Sequence, residues 1–383
     1  HTLFSSLRLL ENNMKSLELL APAKDKYIGI AAIDCGADAV YIAADAFGAR
    51  AAAGNSIEDI RTLCDYAHKF GARIYVTVNT IFFDSETEQI IDIIGKVQEA
   101  GADALIVQDM GIVQLFRERK LELSIPLHAS TQCAIRTPEQ AKSLADTGFS
   151  RLILERQIDL NGILSIAAAV PECEIEAFVQ GALCVAYSGQ CYISEMLCGR
   201  SANRGACAQI CRNRFDLIDG DGRVLAKDKT LLSLKDYNLI DRLEDLAKAG
   251  VCSFKIEGRL KNESYVKNGV AAYSGALDKL VAAHPEFYRR SSFGRSTLPF
   301  TPSLEKTFNR GYTEFLFDEN FRGKSQLSEG KGEFIGTVKN LRDNRQGCTL
   351  TLKMEQPVLS NGDGLCFINK KGETVGFRAD KVS

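Results

Sequence analysis

The sequence lacks the features that mark membrane proteins, secreted proteins and general nucleic-acid binders. No stretch approaches the ~20 consecutive apolar residues that a membrane-spanning helix requires. The 47 basic and 49 acidic side chains give a net charge of −2, so no overall positive field attracts nucleic acid and any contact with RNA has to be local. No signal-peptide pattern opens this long chain, and its 12 cysteines therefore predict a reducing cytoplasm rather than a set of disulfides.

Histidine is scarce, and the common hydrolase motifs are missing. Four histidines occur, one of them at position 1, which leaves little material for a His-based catalytic triad. Neither the H-E-x-x-H of zinc peptidases nor the G-x-S-x-G of serine hydrolases is found. The sequence therefore shows no hydrolytic site of either kind.

What is present is the composition of an ordinary globular protein. Apolar residues make up 45% and charged residues 25% of the 383 positions, which excludes a disordered, collagen-like or coiled-coil chain. This length predicts two or three domains. Residues 1–13 precede a Met14-Lys15 pair that resembles a natural start, so we interpret them as an upstream extension outside the fold.

An internal repeat dominates the first 293 residues. Each unit has an apolar-periodic helix, a turn marked by glycine or proline, and a short β-branched strand. The units with a complete pattern are residues 31–44, 66–79, 96–109, 143–156 and 245–258, and further strands are predicted at 17–20, 126–130 and 174–179. Eight nearly continuous apolar strands that alternate with helices predict a parallel (β/α)8 barrel of the TIM type. A doubly wound open sheet is the alternative.

The predicted domains follow from this repeat. The TIM-like barrel occupies residues 14–293, closed by a helix over residues 265–284, and an insertion after the seventh strand contains a cysteine-rich segment at 181–215. Residues 294–330 are predicted to be a connector. Short alternating runs separated by Asn-Gly and Lys-Gly turns predict a small β-barrel-like domain at 331–383. An insertion after a barrel strand lies on the face where such enzymes hold their chemistry.

Cysteines are concentrated in that insertion. Cys184, Cys191, Cys207 and Cys211 have the spacing C-x6-C-x15-C-x3-C, and four thiolates that converge on a 4Fe-4S cluster account best for the clustering. Two alternatives stay open. Structural zinc prefers paired C-x2–4-C ligands, which only the last two cysteines provide, and buried free thiols need no metal. Cys198 is left over from the pattern.

Basic residues surround these cysteines. Residues 196–215 contain four arginines and no acidic side chain: Arg200, Arg204, Arg212 and Arg214. The arginines either offset the negative charge of a thiolate-bound cluster or bind a carboxylate or an RNA phosphate, whose geometry a guanidinium matches. The sequence favours neither alternative.

Polar residues follow the predicted strands, at the end where a TIM barrel carries its substrate site. They are Asn79, Gln108, His128, Gln132, Glu155, Arg156, Glu257 and Arg259. Lys255 and Glu257 are two residues apart, so both point toward the barrel mouth, where they either contact substrate or form an internal ion pair that includes Glu176. His128 is a candidate proton carrier or a hydrogen-bonded structural histidine.

One segment resembles a known family signature. Residues 176–194, EAFVQGALCVAYSGQCYIS, agree at every fixed position with the signature of the U-32 family of collagenase-like peptidases. The similarity extends to GRSANRGACAQICR at 199–212, KIEGR at 255–259, LLAPA at 19–23, FGAR at 47–50, IVQDMG at 106–111 and HASTQC at 128–133. It covers the chain from Met14 to its end and is strongest with the RNA hydroxylases of the family.

The resemblance implies an RNA-modifying hydroxylase. The implied product is 5-hydroxycytidine in large-subunit ribosomal RNA, with tRNA uridine hydroxylation or the peptidase activity of the family name as alternatives. A protein that carries a cluster or binds RNA without catalysis is a further alternative. The implied cofactor is a 4Fe-4S cluster and the implied co-substrate is prephenate, a dicarboxylate that supplies the hydroxyl group, with an electron donor as a further partner.

The resemblance also implies the cluster ligands, and the polar residues at the strand ends supply the other candidate roles. The four patterned cysteines match the cluster ligands of the family, and a later ligand in one branch leaves Cys252 as an alternative. His128 and Glu257 are the candidate catalytic bases. The candidate substrate-binding residues are Asn79, Gln132, Glu155, Arg156, Arg204, Lys255 and Arg259; among them Arg156, Lys255 and Arg259 carry the charge that a dicarboxylate requires.

Overall fold

A computed structural model describes residues 14–49, 54–318, 320, 325–328, 334–344, 347–355, 359, 363–369 and 374–382. The segment interpreted as an upstream extension, residues 1–13, lies outside these residues. No helix in the described part of the chain has the length and apolar character needed to cross a membrane.

Eight parallel strands form a closed barrel. They are β1 (Lys15–Pro22), β2 (Ala39–Ala44), β3 (Arg73–Val78), β4 (Ala104–Val107), β5 (Leu127–Ala129), β6 (Arg151–Ile153), β7 (Glu174–Ala182) and β8 (Val251–Ile256). Each strand pairs with the next, and β8 pairs with both β7 and β1, which closes the ring. The predicted (β/α)8 barrel is therefore confirmed, and the open sheet is excluded.

One helix follows each barrel strand. The helices are α1 (Lys26–Asp34), α2 (Ile57–Ala67), α3 (Thr87–Glu99), α4 (Gly111–Arg119), α5 (Pro138–Thr147), α6 (Leu160–Ala169), α7 (Leu243–Lys248) and α8 (Glu263–Ala283). Several begin where the sequence supplies a side-chain acceptor: Ser56, Asp159 and Asn262 accept backbone N–H groups at the starts of α2, α6 and α8. Helix α8 is the closing helix predicted over residues 265–284.

The insertion between β7 and α7 contains the cysteines, as the sequence predicts. It includes a short helix, Ile193–Cys198, single 3-10 turns at Ala202–Arg204 and Ile210–Arg212, and an antiparallel hairpin of Phe215–Ile218 with Val224–Lys229. Strand Asp236–Asn238 then pairs antiparallel with the end of β7 and parallel with Tyr312–Thr313. The insertion is thereby joined to the end of a barrel strand.

The segments after the barrel are mainly strands. Strand Tyr288–Arg290 pairs with the beginning of β1, at the face of the barrel opposite the insertion. Two antiparallel hairpins follow: Gly336–Asn344 with Gly347–Met354, and Gly364–Ile368 with Thr374–Arg378. They agree with the predicted β-structure of this region, while the domain boundaries at 293, 330 and 331 stay predictions.

The barrel interior contains an apolar layer and a group of charged side chains. The apolar layer consists of Leu20, Ala39, Tyr41, Tyr75, Ala104, Ile106, Ile153 and Phe178. In the charged group, Arg151 donates hydrogen bonds to Glu18 at 2.5 Å, Glu176 at 3.2 Å and Ser253 at 3.3 Å, and Lys255 Nζ lies 2.7 Å from Glu176 Oε1. We call these five residues the interior ion network. Because every member is buried, each charge depends on its partners for stabilisation.

Candidate active site at the barrel mouth

A cavity of about 360 Å³ opens at the carboxyl ends of the barrel strands. Tyr41, Ile106, Ile153 and Phe178 of the apolar layer line it from the barrel side. The cysteine insertion supplies most of the remaining wall. The site therefore lies where the barrel fold places substrate-binding groups.

All four patterned cysteines line this one cavity: Cys184, Cys191, Cys207 and Cys211. Burial raises the pKa of the Cys184 thiol, which Arg156 opposes, and burial likewise raises the pKa of Cys211, which Arg212 opposes. The fold thus brings together thiols that are up to 27 residues apart in the chain, next to two guanidinium groups.

The other two cysteines considered as ligands lie elsewhere. Cys198 is exposed and its thiol donates to the Ser194 carbonyl at 2.9 Å. The Cys252 thiol, on β8, lies 3.5 Å from the Ile175 carbonyl, and burial raises its pKa to about 12. Neither residue lines the cavity.

The donor set suits a group that takes four thiolates. A 4Fe-4S cluster is bound by four cysteine thiolates, one for each iron, and a structural zinc ion can take four as well. Across the described residues, no three His, Cys, Asp or Glu side chains are already placed to hold one metal ion. The four thiols that line the cavity match either group in number and chemistry.

Polar contacts hold the loop between β7 and the short helix in place. Gln157 Nε2 donates to the Cys184 carbonyl at 2.6 Å and the Ala186 carbonyl at 3.4 Å. Glu155 accepts from the Ser188 backbone N–H at 2.9 Å and from its hydroxyl at 3.1 Å. Arg212 donates to the Leu183 carbonyl and, at 2.8 Å, to the Leu234 carbonyl. These contacts fix the backbone on both sides of the first two cysteines.

Gly189 is the position in this loop that tolerates no side chain. Its φ of +74° is in the left-handed region, and a Cβ there would lie 2.1 Å from the Gln132 carbonyl oxygen. We expect Gly189→Ala to lower the free energy of unfolding by clearly more than the ~1–2 kcal/mol of a left-handed residue alone, because backbone has to move. Gly199→Ala is the matched control, since Gly199 has a φ of +64° and no atom within 4 Å of its Cβ position. Equal losses in urea unfolding of the two variants would contradict this close contact.

Three basic side chains line the cavity. Arg156 is 9% exposed, lies 3.7 Å from the Phe178 ring centroid and donates to Glu257 at 2.8 Å, while its Nε has no partner. Arg259 donates to the Thr77 hydroxyl at 2.8 Å. Lys255 lies 4.3 Å from the Tyr41 ring centroid; burial lowers its pKa, and Glu176 opposes that change. The three side chains form a positively charged region suited to a small anion.

Two further predicted residues, Asn79 and Gln132, also line the cavity. Asn79 accepts from the Ala49 backbone N–H at 2.9 Å and donates to the Ser130 hydroxyl at 3.1 Å. Glu257, a candidate base, lies in the cavity wall as well. It pairs with Arg156, whereas Lys255 pairs with Glu176, so Lys255 forms the predicted internal ion pair with Glu176.

Three predicted site residues lie outside the cavity. His128 is inside the barrel, 4.8 Å from the Tyr75 ring centroid, and burial lowers its pKa well below the usual value, with Arg151 and Lys255 adding to the effect. Glu155 holds the loop at Ser188. Arg204 pairs with Glu86 at 2.7 Å and stacks on Phe83. None of the three lines the cavity in this structure, and their roles in catalysis or substrate binding stay predictions.

Two of the other insertion arginines, Arg212 and Arg214, also have partners within the protein. Arg214 pairs with Asp228 at 2.9 Å, and Arg212 donates hydrogen bonds to backbone carbonyls and to the Ser233 hydroxyl. The acidic partners come from other segments, which the composition of residues 196–215 does not show.

The structure adds residues that the sequence reasoning missed. Tyr41, Thr77 and Ser130 line the cavity, and Gln157 holds the cysteine loop. Thr77 is on β3, two residues before Asn79. The alternation of side chains along a strand would therefore have placed it on the same side as Asn79. Nothing in the local sequence distinguishes Tyr41 or Gln157.

Comparisons with known proteins give a family and several relatives. The family model "Peptidase family U32" matches residues 27–326. The 23S rRNA 5-hydroxycytidine synthase of Escherichia coli is 48% identical over 96% of this chain, which spans 54% of that relative. An uncharacterized protease of Methanocaldococcus jannaschii is 36% identical over 79% of the chain and 74% of its own length. The tRNA hydroxylation protein P1 of Bacillus subtilis is 31% identical over 94% of the chain and 85% of its own length.

Proposed function

The chain belongs to peptidase family U32, and we propose that it is a hydroxylase that forms 5-hydroxycytidine in large-subunit ribosomal RNA. We propose further that it uses a 4Fe-4S cluster bound by Cys184, Cys191, Cys207 and Cys211, with prephenate as the hydroxyl donor. Since the chain spans about half of the E. coli relative, the activity of that whole protein is part of this proposal.

The similarity to one relative carries the proposal, and the chemistry of the cavity agrees with it. The relative with 48% identity over 96% of the chain is named for this reaction, and the cavity that joins the four thiols to three basic side chains supplies matching chemistry. No histidine among the described residues lines the cavity, so the thiols there lack the histidine partner that a cysteine peptidase uses. Peptidase activity stays the alternative to this proposal.

Hydroxylation at C5 replaces a C–H bond with a C–O bond, which is a two-electron oxidation of the base. As the proposed hydroxyl donor, prephenate would be the two-electron oxidant: its own C–O bond would break, and its reduced product would take up the electron pair and a proton. When bound, the cluster would supply redox or Lewis-acid chemistry beside the substrate. Arg156, Lys255 and Arg259 would bind the two carboxylates of prephenate and orient it. Glu257, whose carboxylate is in the cavity wall, is the residue positioned to accept the C5 proton at Oε, because His128 lies outside the cavity.

The proposal is tested by the modified nucleoside that the protein produces. The chain is expressed in E. coli that lacks both its own 5-hydroxycytidine synthase and its own tRNA hydroxylation protein P. Ribosomal RNA and tRNA are then digested and analysed separately by mass spectrometry. We expect 5-hydroxycytidine in ribosomal RNA. Hydroxylated uridine in tRNA would favour the tRNA alternative. The absence of both products would contradict RNA hydroxylation by this chain.

Arg259→Ala tests the proposed binding of the co-substrate. Loss of a charged hydrogen-bond donor costs about 1.5–3 kcal/mol, so we expect the prephenate concentration for half-maximal hydroxylation to rise about tenfold or more. Iron content should stay at the wild-type value, because Arg259 bonds to Thr77 on β3, whereas the four cysteines belong to the insertion. Arg117→Ala, in an exposed arginine that bonds to the Thr147 carbonyl, is the control. An unchanged prephenate requirement in Arg259→Ala would rule out this role.

A further inference from the structure

Two tyrosines of the cysteine insertion lie at the entrance of the cavity. Tyr187 and Tyr192 both line the cavity, yet they are 45% and 65% exposed. A large part of each ring is therefore open to solvent directly beside the proposed reaction site.

A basic side chain stacks on one of these rings. The Arg136 guanidinium carbon lies 3.8 Å from the Tyr187 ring centroid. Its Nε is buried without a hydrogen-bond partner, and no carboxylate in the described part of the chain pairs with this side chain. Arg136 thus differs from Arg204 and Arg214, whose charges are matched by Glu86 and Asp228. An unmatched positive charge is left at the cavity entrance.

The loop that carries Tyr187 is held firmly on both sides. Gln157 binds the Ala186 carbonyl, and Glu155 binds the Ser188 backbone N–H. Gly189 lies against the Gln132 carbonyl, four residues before Arg136. The ring and the guanidinium are therefore presented in one arrangement, which lowers the entropy that binding would cost.

We propose that Tyr187, Arg136 and Tyr192 form the binding site for an unpaired nucleobase and its adjacent phosphate in single-stranded RNA. The RNA class rests on the proposed function; the stacking site itself rests on the side chains at the entrance. C5 of a pyrimidine faces the major groove, which in an A-form duplex is too deep and narrow for side chains. Chemistry at C5 inside this cavity therefore requires a base that has left the helix.

The composition of the site favours RNA over a peptide. Aromatic rings stack on unpaired bases of any sequence, and a nearby guanidinium neutralises a phosphate. The three residues include no acidic group that would repel the backbone. Binding of the target strand here would direct one base into the cavity beneath Tyr187 and Tyr192.

The test measures the affinity of the full chain for a fluorescein-labelled single-stranded RNA of about 12 nucleotides by fluorescence anisotropy. We expect Tyr187→Ala to weaken binding about fivefold to a hundredfold, as loss of one base stack does, and Tyr187→Phe to retain wild-type affinity. Arg136→Gln should weaken binding and reduce the slope of log affinity against log salt by about 0.7, the contribution of one phosphate contact to a single strand.

The matched control is Phe287→Ala. Phe287 is 58% exposed and precedes the strand that pairs with the beginning of β1, on the opposite face of the barrel, so affinity should be unchanged. Iron content of each variant shows whether the insertion has kept its structure.

The outcomes separate this site from the proposed function. If the wild-type protein and Tyr187→Ala bind RNA equally well, the site is overturned and RNA hydroxylation stands. If the wild-type chain binds no RNA but binds a gelatin peptide, both the site and the RNA function are overturned. Weaker binding by Tyr187→Ala and Arg136→Gln, with Tyr187→Phe and Phe287→Ala unaffected, supports the site even where hydroxylation is not detected.

Discussion

The double variant Cys184→Ala, Cys191→Ala is expected to lose all of its bound iron and acid-labile sulfide. Wild-type protein purified without oxygen should contain about four irons and four sulfides per chain, with the broad visible absorption of a 4Fe-4S cluster. Four thiols line the cavity, and the two that remain in this variant cannot retain such a cluster. The same variant should form no 5-hydroxycytidine, because both the cofactor and the shape of the cavity wall are lost.

Cys198→Ala and Cys252→Ala are the matched controls for this experiment. Each removes one thiol that lies outside the cavity, so iron and sulfide should stay at wild-type amounts. If Cys252→Ala lost the cluster while Cys184→Ala, Cys191→Ala retained it, the ligand set would be different from the one proposed. Zinc in carefully anaerobic wild-type protein would contradict the cluster itself.

Arg151→Met is expected to lower the free energy of unfolding by about 3–5 kcal/mol. Arg151 is 2% exposed and bonds to Glu18, Glu176 and Ser253 inside the barrel. Methionine has a similar length but no charge, so the variant leaves the buried Glu18 without its main partner and Glu176 with Lys255 as its remaining cation. Urea unfolding at neutral pH, followed by circular dichroism, measures the change.

The effect of this substitution should depend on pH. Burial by itself raises the pKa of Glu18, but Arg151 outweighs burial and holds that pKa below its usual 4.5. The stabilisation from Glu18 is therefore present above pH 4.5 and is lost as the pH falls through the lowered pKa of the folded state. The difference between wild type and Arg151→Met should accordingly shrink as the pH falls below 4.5.

Arg119→Met provides the comparison for a surface ion pair. Arg119 pairs with Glu88 at 2.5 Å, and both side chains are exposed, so its loss should cost less than about 1 kcal/mol. A loss of similar size in Arg151→Met would show that the interior ion network does not contribute in the way its burial indicates.

Local pattern was sufficient to predict the architecture. Each strand and helix of the barrel has its own apolar period, and helix starts such as Ser56 and Asn262 are encoded by one side chain. The four cysteines were also predictable as a set, because their spacing and the family signature lie in a single segment. The structure confirms the barrel and places all four thiols along one cavity.

Long-range pairing was not predictable in the same way. Arg204 stood among arginines with no acidic neighbour, yet its partner Glu86 lies 118 residues away. His128 had the position of a strand-end catalyst, but its side chain is enclosed in the barrel beside Tyr75. Arg151 finds Glu18 across 133 residues, a contact that arises only when the barrel closes.

The amino-acid sequence by itself determined the order and type of the secondary-structure elements, the site of the insertion and the set of clustered thiols. These features depend on the identity and spacing of neighbouring residues, through apolar periodicity, capping and turn conformation. Tertiary structure alone decided which charged side chains face the cavity and which are paired within the protein. That division depends on distances between strands far apart in the chain, because an ion pair forms wherever folding brings opposite charges together.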